Sequence, residues 1–274
     1  MNETLPLLER LATAAKNGDQ VAESVGIDSV ALRIPYDTPK EPLPLFTENP
    51  PLRSVAWKLL ESRPAGSPPS SRWWRQLVVA LGRIEPNRAA RLGGALLGSK
   101  DFLATEEGEA VLRALASTHP GDVMEALGAA MLDEKTGWRS FIAKYDDLVS
   151  ALPPDVVRSW IERAGVEGAR RVARHLPKPT LDAEGRAFVP ALTEWVLETF
   201  EDDKRTFREF CAGLHNLELY SGDIAAQHEA EAVLARKFLQ HRLRRVREWA
   251  ALEEGSAIEE ARHTRGLQEE DDLP

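Results

Sequence analysis

The chain has 274 residues, 43% of them hydrophobic and 29% charged, a balance that fits a soluble globular protein. Its net charge of -9, from 44 acidic and 35 basic residues, argues against a dedicated nucleic-acid coat or a polybasic membrane binder. One cysteine, Cys211, excludes an intramolecular disulfide and a cysteine-rich zinc site, so a reducing, cytoplasmic setting is expected.

The N-terminal stretch MNETLPLLERLATAAKNGD carries acids at Glu3 and Glu9 and no basic leader, so no signal peptide is expected. Residues 1–34 are expected to form an N-terminal helical segment. SVALRI, from Ser29 to Ile34, is the one stretch with some strand character. Six prolines between positions 35 and 51 suit an extended connector, and residues 35–70 are expected to be Pro-rich with one short helix. The serines of RPAGSPPSS are placed to cap a helix beginning near Arg72. The apolar run LVVALG is too short to span a bilayer, so no membrane partner is expected.

From residue 71 onward, apolar residues recur at spacings of three and four, the period of a helix. Val111, Leu112 and Leu115 share one face, and His119-Pro120 closes that element. Phe188, Leu192, Trp195, Val196 and Phe200 make a second core-facing stripe. Asp223 is placed to cap a helix. Residues 257–274 lose the apolar stripe, become acidic, and are expected to be a disordered tail. The chain reads as all-α with many short helices.

Five pieces of this array align: AARLGGA from Ala89, DVMEALG from Asp122, VVRSWIE from Val156, TFREFCA from Thr206 and RVREWAA from Arg245. Their second and fifth positions are apolar or small, and the third is Arg91, Met124, Arg158, Arg208 and Arg247. The third positions lie 33, 34, 50 and 39 residues apart, the range of a two-helix repeat with one insertion around HLPKPTLDAEG. Pro86, Pro120 and Pro153-Pro154 sit where the second helix of a pair should begin.

The apolar-Arg pair opening each second helix resembles the HEAT-type α-helical repeat. That resemblance implies stacked antiparallel helix pairs in an α-α solenoid over residues 71–256. It also implies an aspartate in the inter-helix turn pairing with the repeat arginine, which Asp202 and Arg208 fit best. HEAT-like proteins serve as scaffolds, adaptors and arms of large assemblies, and a few bind nucleic acid.

Candidate partner-binding residues are Arg236, Lys237, Arg242, Arg244 and Arg245, which with Arg247 form a dense basic cluster, together with Trp73 and Trp74. A seam of Leu239, Leu243, Val246 and Ala250 leaves Arg244 and Arg245 on the surface. Trp160 and Trp249 occupy equivalent, buried repeat slots. Cys211 and His215 lie at i and i+4, the spacing of a thiol nucleophile and its base. Yet Cys211 aligns with Ile161 and Ala250, so packing is its expected role and a thiol enzyme the least favoured reading. No metal or cofactor motif is present, and no catalytic residue or cofactor is expected. The expected function is a non-enzymatic scaffold or adaptor for a protein partner. Arginine in excess of lysine points to a bacterial source, in a multi-component system such as defence or signalling. The alternative is a nucleic-acid-binding array that uses the C-terminal arginine cluster.

Overall fold

The computed structural model describes residues 4–35, 41–64, 66–133, 145–214 and 223–271. Among these residues its regular structure is helical apart from one hairpin of two two-residue strands. The chain divides into two compact units, Met1–Trp160 and Ile161–Pro274.

Unit 1 begins with α1 (Thr4–Lys16) and α2 (Gln20–Ala31). The Asp19 carboxylate caps α2 by accepting from the N–H groups of Val21 and Ala22. The first half of SVALRI therefore ends α2 and the rest turns away from it, and none of the stretch forms a strand, because the cap and helix formers of α2 outweigh its two β-branched residues. The short α3 (Pro44–Thr47) and then α4 (Pro50–Leu60) follow. The proline-rich segment thus contributes two helices, one of them eleven residues long. Prolines stand at the first turn of each, where the missing N–H has no intrahelical partner to lose. Trp57 of α4 is fully buried, with the Arg88 guanidinium 4.7 Å from its ring centre.

Next come α5 (Trp74–Gly82), α6 (Pro86–Leu97), α7 (Phe102–Ala116), α8 (Pro120–Leu132) and α9 (Tyr145–Ala151). Ser71 Oγ accepts from Trp73 N–H, so this serine forms a turn and the helix starts at Trp74. Asp101 caps α7, and Val111, Leu112 and Leu115 have no exposed surface. Helix α6 packs on α5, α7 and α8, while α7 also touches α5, α8 and α9. First helices therefore lie on first helices and second on second. Glycine permits the closest of these approaches: a Cβ on Gly108 would stand 2.5 Å from the Gly93 carbonyl oxygen. Helix α10 (Pro154–Ala173) opens on a proline as α6 and α8 do. Its Trp160 lies 5% exposed with its indole against Gly128 of α8.

Unit 2 holds the remainder of α10, which kinks at Gly165, where φ is +68°. The hairpin β1 (Thr180–Leu181) and β2 (Ala187–Phe188) then falls in the expected insertion. Asp182 closes it by accepting from the backbone N–H groups of Glu184 and Arg186. Phe188 is half exposed on β2 and takes no part in the helical stripe, because α11 (Ala191–Thr199) starts only after Pro190. Helices α12 (Lys204–Leu214), α13 (Ile224–Arg236) and α14 (Arg244–Asp271) complete the unit. Asp223 caps α13 as its position suggested. Phe210, Phe238 and Trp249 form the aromatic centre, with ring centroids 6.3 and 5.4 Å from that of Trp249. The expected disordered tail is corrected here. Helix α14 continues through residues 257–271, and Ala257 and Ala261 are buried one turn apart.

The five aligned pieces fall on α6, α8, α10, α12 and α14, the second helix of each successive pair. Their second and fifth positions are all buried apart from Phe207, which is half-buried. The expected Asp202–Arg208 contact is not made. Asp202 is fully exposed and lies 3.6 Å from Arg244, and Arg208 is exposed. Asp203 instead grips Arg170 through two bonds of 3.0 and 2.8 Å and also caps α12 at Thr206. The partner of the turn aspartate thus comes from the previous helix pair. Related pairs join Arg53 to Glu85, Arg75 to Glu107, Arg113 to Asp147 and Arg174 to Glu209. Each of these five pairs spans between 32 and 35 residues, close to the shorter intervals between aligned pieces.

Candidate partner-binding site

The basic cluster at the junction of α13 and α14 makes its contacts within its own unit, Arg236, Arg242, Arg244 and Arg245 with carboxylates and Lys237 and Arg247 with backbone carbonyls. Arg236 bonds Glu254 at 2.7 Å, and Lys237 donates to the carbonyl of Gly185 in the hairpin. Arg242 bridges Glu194 and Glu198 at 3.0 and 2.9 Å, and its guanidinium holds the Glu198 carboxyl below its ordinary range. Arg244 meets Glu201, and Arg247 donates to the carbonyls of His241 and Arg242. Arg245 corrects the expected surface position. It is only 9% exposed, donates to the Glu201 carbonyl and to Glu248, and lies over the Phe207 ring. The reason is helical phase: Arg245 and Trp249 are one turn apart and point the same way.

Trp74 is buried at the start of α5, whereas Trp73 is half exposed with Arg72 5.0 Å over its ring. Of the two, only Trp73 keeps a face that a partner can reach.

Cys211 is half-buried, less so than its aligned equivalents Ile161 and Ala250. Burial, reinforced by Glu253, pushes its thiol up to about 11, so it is protonated and a poor nucleophile at neutral pH. His215 lies outside the described residues, as does Trp138. The carboxylates Asp147 and Asp203 are taken up by Arg113 and Arg170. Among the described residues no group of three metal-ligating side chains comes together, and no helix is long and apolar enough to cross a membrane.

A groove that sequence reasoning did not find runs along α6 in unit 1. One cavity of about 710 Å³ lies between the 66–68 loop, α6, the 98–101 turn and α8. Its floor is Gly94 and Ala95 of α6, Gly98 just past the end of that helix, and Ala126, Ala129 and Ala130 of α8. A second cavity of about 270 Å³ adjoins it around Arg91 and is walled by Leu60, Trp74, Leu92 and Leu96. Arg63 holds the loop side in place through its bond of 2.6 Å to the buried Glu23 and one to the Pro68 carbonyl. Ser99 Oγ donates to the Gly66 carbonyl and pins the other end. Arg91 and Lys100 are exposed on the lining and have no acidic partner among the described residues. The available signal was the run of small residues in RLGGALLGSK and EALGAA, one helical turn apart on successive second helices.

Comparison of the chain with family models, with curated proteins and with solved structures finds no match in any of the three.

Proposed function

We propose that this chain is a non-enzymatic scaffold or adaptor built from HEAT-like helix pairs, and that it binds a protein partner through the groove along α6. The observation that carries this reading is the contrast in charge pairing. The arginine cluster suited to phosphates is spent on internal carboxylates and carbonyls, while a groove elsewhere keeps two unpaired cations over a floor of small side chains. The repeat reading is supported by the alternation of aligned pieces along the helices and by ion pairs recurring near 33 residues. A cytoplasmic, multi-component bacterial assembly is the setting it suits.

Two measurements test it. Fluorescence anisotropy with DNA and RNA at low salt is expected to show no binding. Tight binding that falls steeply with salt would support the nucleic-acid array instead. Purification of the tagged chain from its native host is expected to yield a defined partner that rebinds when both proteins are pure. Recovery of the chain alone would count against a scaffold.

A further inference from the structure

Resting on that scaffold reading, we propose that the groove along α6 docks an extended acidic segment of the partner protein, Arg91 and Lys100 pairing with its carboxylates and the adjoining apolar cavity taking one anchor side chain. The argument starts from charge. In this chain of net charge -9, most arginines already meet an acid or a carbonyl, so two uncommitted cations on one concave lining stand out. Both are exposed, and pairing them with a partner's carboxylates costs little desolvation. Of the acids beside them, Asp101 is committed to capping α7 through Ala104 N–H. A partner with isolated carboxylates can meet Arg91 and Lys100 and avoid Asp133; a continuous phosphate chain is less able to do so.

Shape points the same way. No floor residue carries more than a Cβ, so an incoming backbone can lie close to α6 and α8. The α6–α8 contact is itself tight, a Cβ on Gly94 standing 3.0 Å from the Ala126 carbonyl oxygen, which fixes the floor as a rigid surface. The larger cavity lies inside the usual ligand range of roughly 300–1,000 Å³. The smaller one, walled by Trp74, Leu92 and Leu96, has the apolar character of an anchor pocket. A charged stretch joined to one apolar cavity matches a peptide with acids flanking a single leucine or similar residue.

The test uses the full chain and a short fluorescein-labelled peptide of aspartate and glutamate around one leucine, read by anisotropy at low salt. R91E/K100E is expected to weaken binding about tenfold or more, and to gain binding of the lysine-for-acid version of the peptide. A95F/A129F, which fills the floor from two exposed positions and changes no charge, is expected to weaken binding similarly. If either variant loses its helical melt, R91A/K100A replaces it. Absence of peptide binding, indifference to both variants, or displacement of the peptide by single-stranded DNA overturns the proposal. The native partner then separates the two readings. If it still binds R91E/K100E and A95F/A129F, the groove inference falls and the scaffold stands. If no partner exists, the scaffold reading itself falls.

Discussion

At the scale of single residues, tight contacts set the sharpest expectations. The Trp160 indole occupies the space where a Cβ on Gly128 would go, and the ring is almost fully enclosed. Gly128→Ala must therefore displace the ring or spread α8 from α10, and a loss of roughly 1–3 kcal/mol in urea denaturation is expected. A loss under a few tenths would mean that the ring yields freely. Arg245 and Arg244 are neighbours with opposite expectations. Arg245 bonds a carbonyl and a carboxylate and is almost wholly covered, whereas Arg244 is half exposed. Arg245→Glu should cost roughly 2 kcal/mol or more, and Arg244→Glu less than about 1 kcal/mol. Equal costs would remove the distinction. The sequence held half of this contrast: Trp249 was legible as core, but the same phase that buries it also buries Arg245, and a run of arginines hides which one faces inward.

Among the elements, those set by local chemistry were legible and those set by packing were not. Pro86, Pro120 and Pro154 open α6, α8 and α10, and Asp223 caps α13, because each acts within one turn of itself. Helix α14 was cut short in the sequence reading because the residues from 257 onward that are described as buried are the alanines Ala257 and Ala261, which leave no apolar stripe to recognise. The groove was missed for a similar reason: it consists of what small side chains leave empty, between helices distant in sequence. The turn aspartate was misplaced by one residue, since which of Asp202 and Asp203 points inward depends on where Arg170 lies. Asp203 joins two helix pairs and caps α12, so Asp203→Ala should cost roughly 1–2 kcal/mol. Asp203→Asn keeps the cap and should cost less. Asp202→Ala should leave the melting temperature unchanged, and a loss matching that of Asp203→Ala would show that the pair is interchangeable.

For the molecule as a whole, the charge map dictates how stability follows pH. Among the described residues three carboxyls are held below their ordinary range: Asp203 by Arg170, Asp182 by the Arg186 backbone N–H, and Glu198 by Arg242. Each releases its proton more readily folded than unfolded, so its contribution is complete above an unfolded value of about 4 and is lost as pH falls toward its folded value. The acid limb should therefore begin below about pH 4, and Asp203→Asn should narrow it. The thiol works in the opposite sense. Cys211 is raised to about 11, so between its unfolded value of about 8.5 and that point the unfolded chain loses a proton that the folded chain keeps. Burial holds His241 below its ordinary range, so stability should rise as pH climbs toward the unfolded histidine value of about 6.5, stay flat to about pH 8 and then decline toward pH 11. Cys211→Ala removes this one group, and the difference between its urea-unfolding profile and that of the wild type should be constant below about pH 8 and shrink above it. Alkylation of the native thiol by iodoacetamide should be slow at pH 8 and accelerate across the same interval. Rapid alkylation at pH 7, or a difference that does not change with pH, would show that the thiol is not held protonated and would reopen Cys211 as a reactive group.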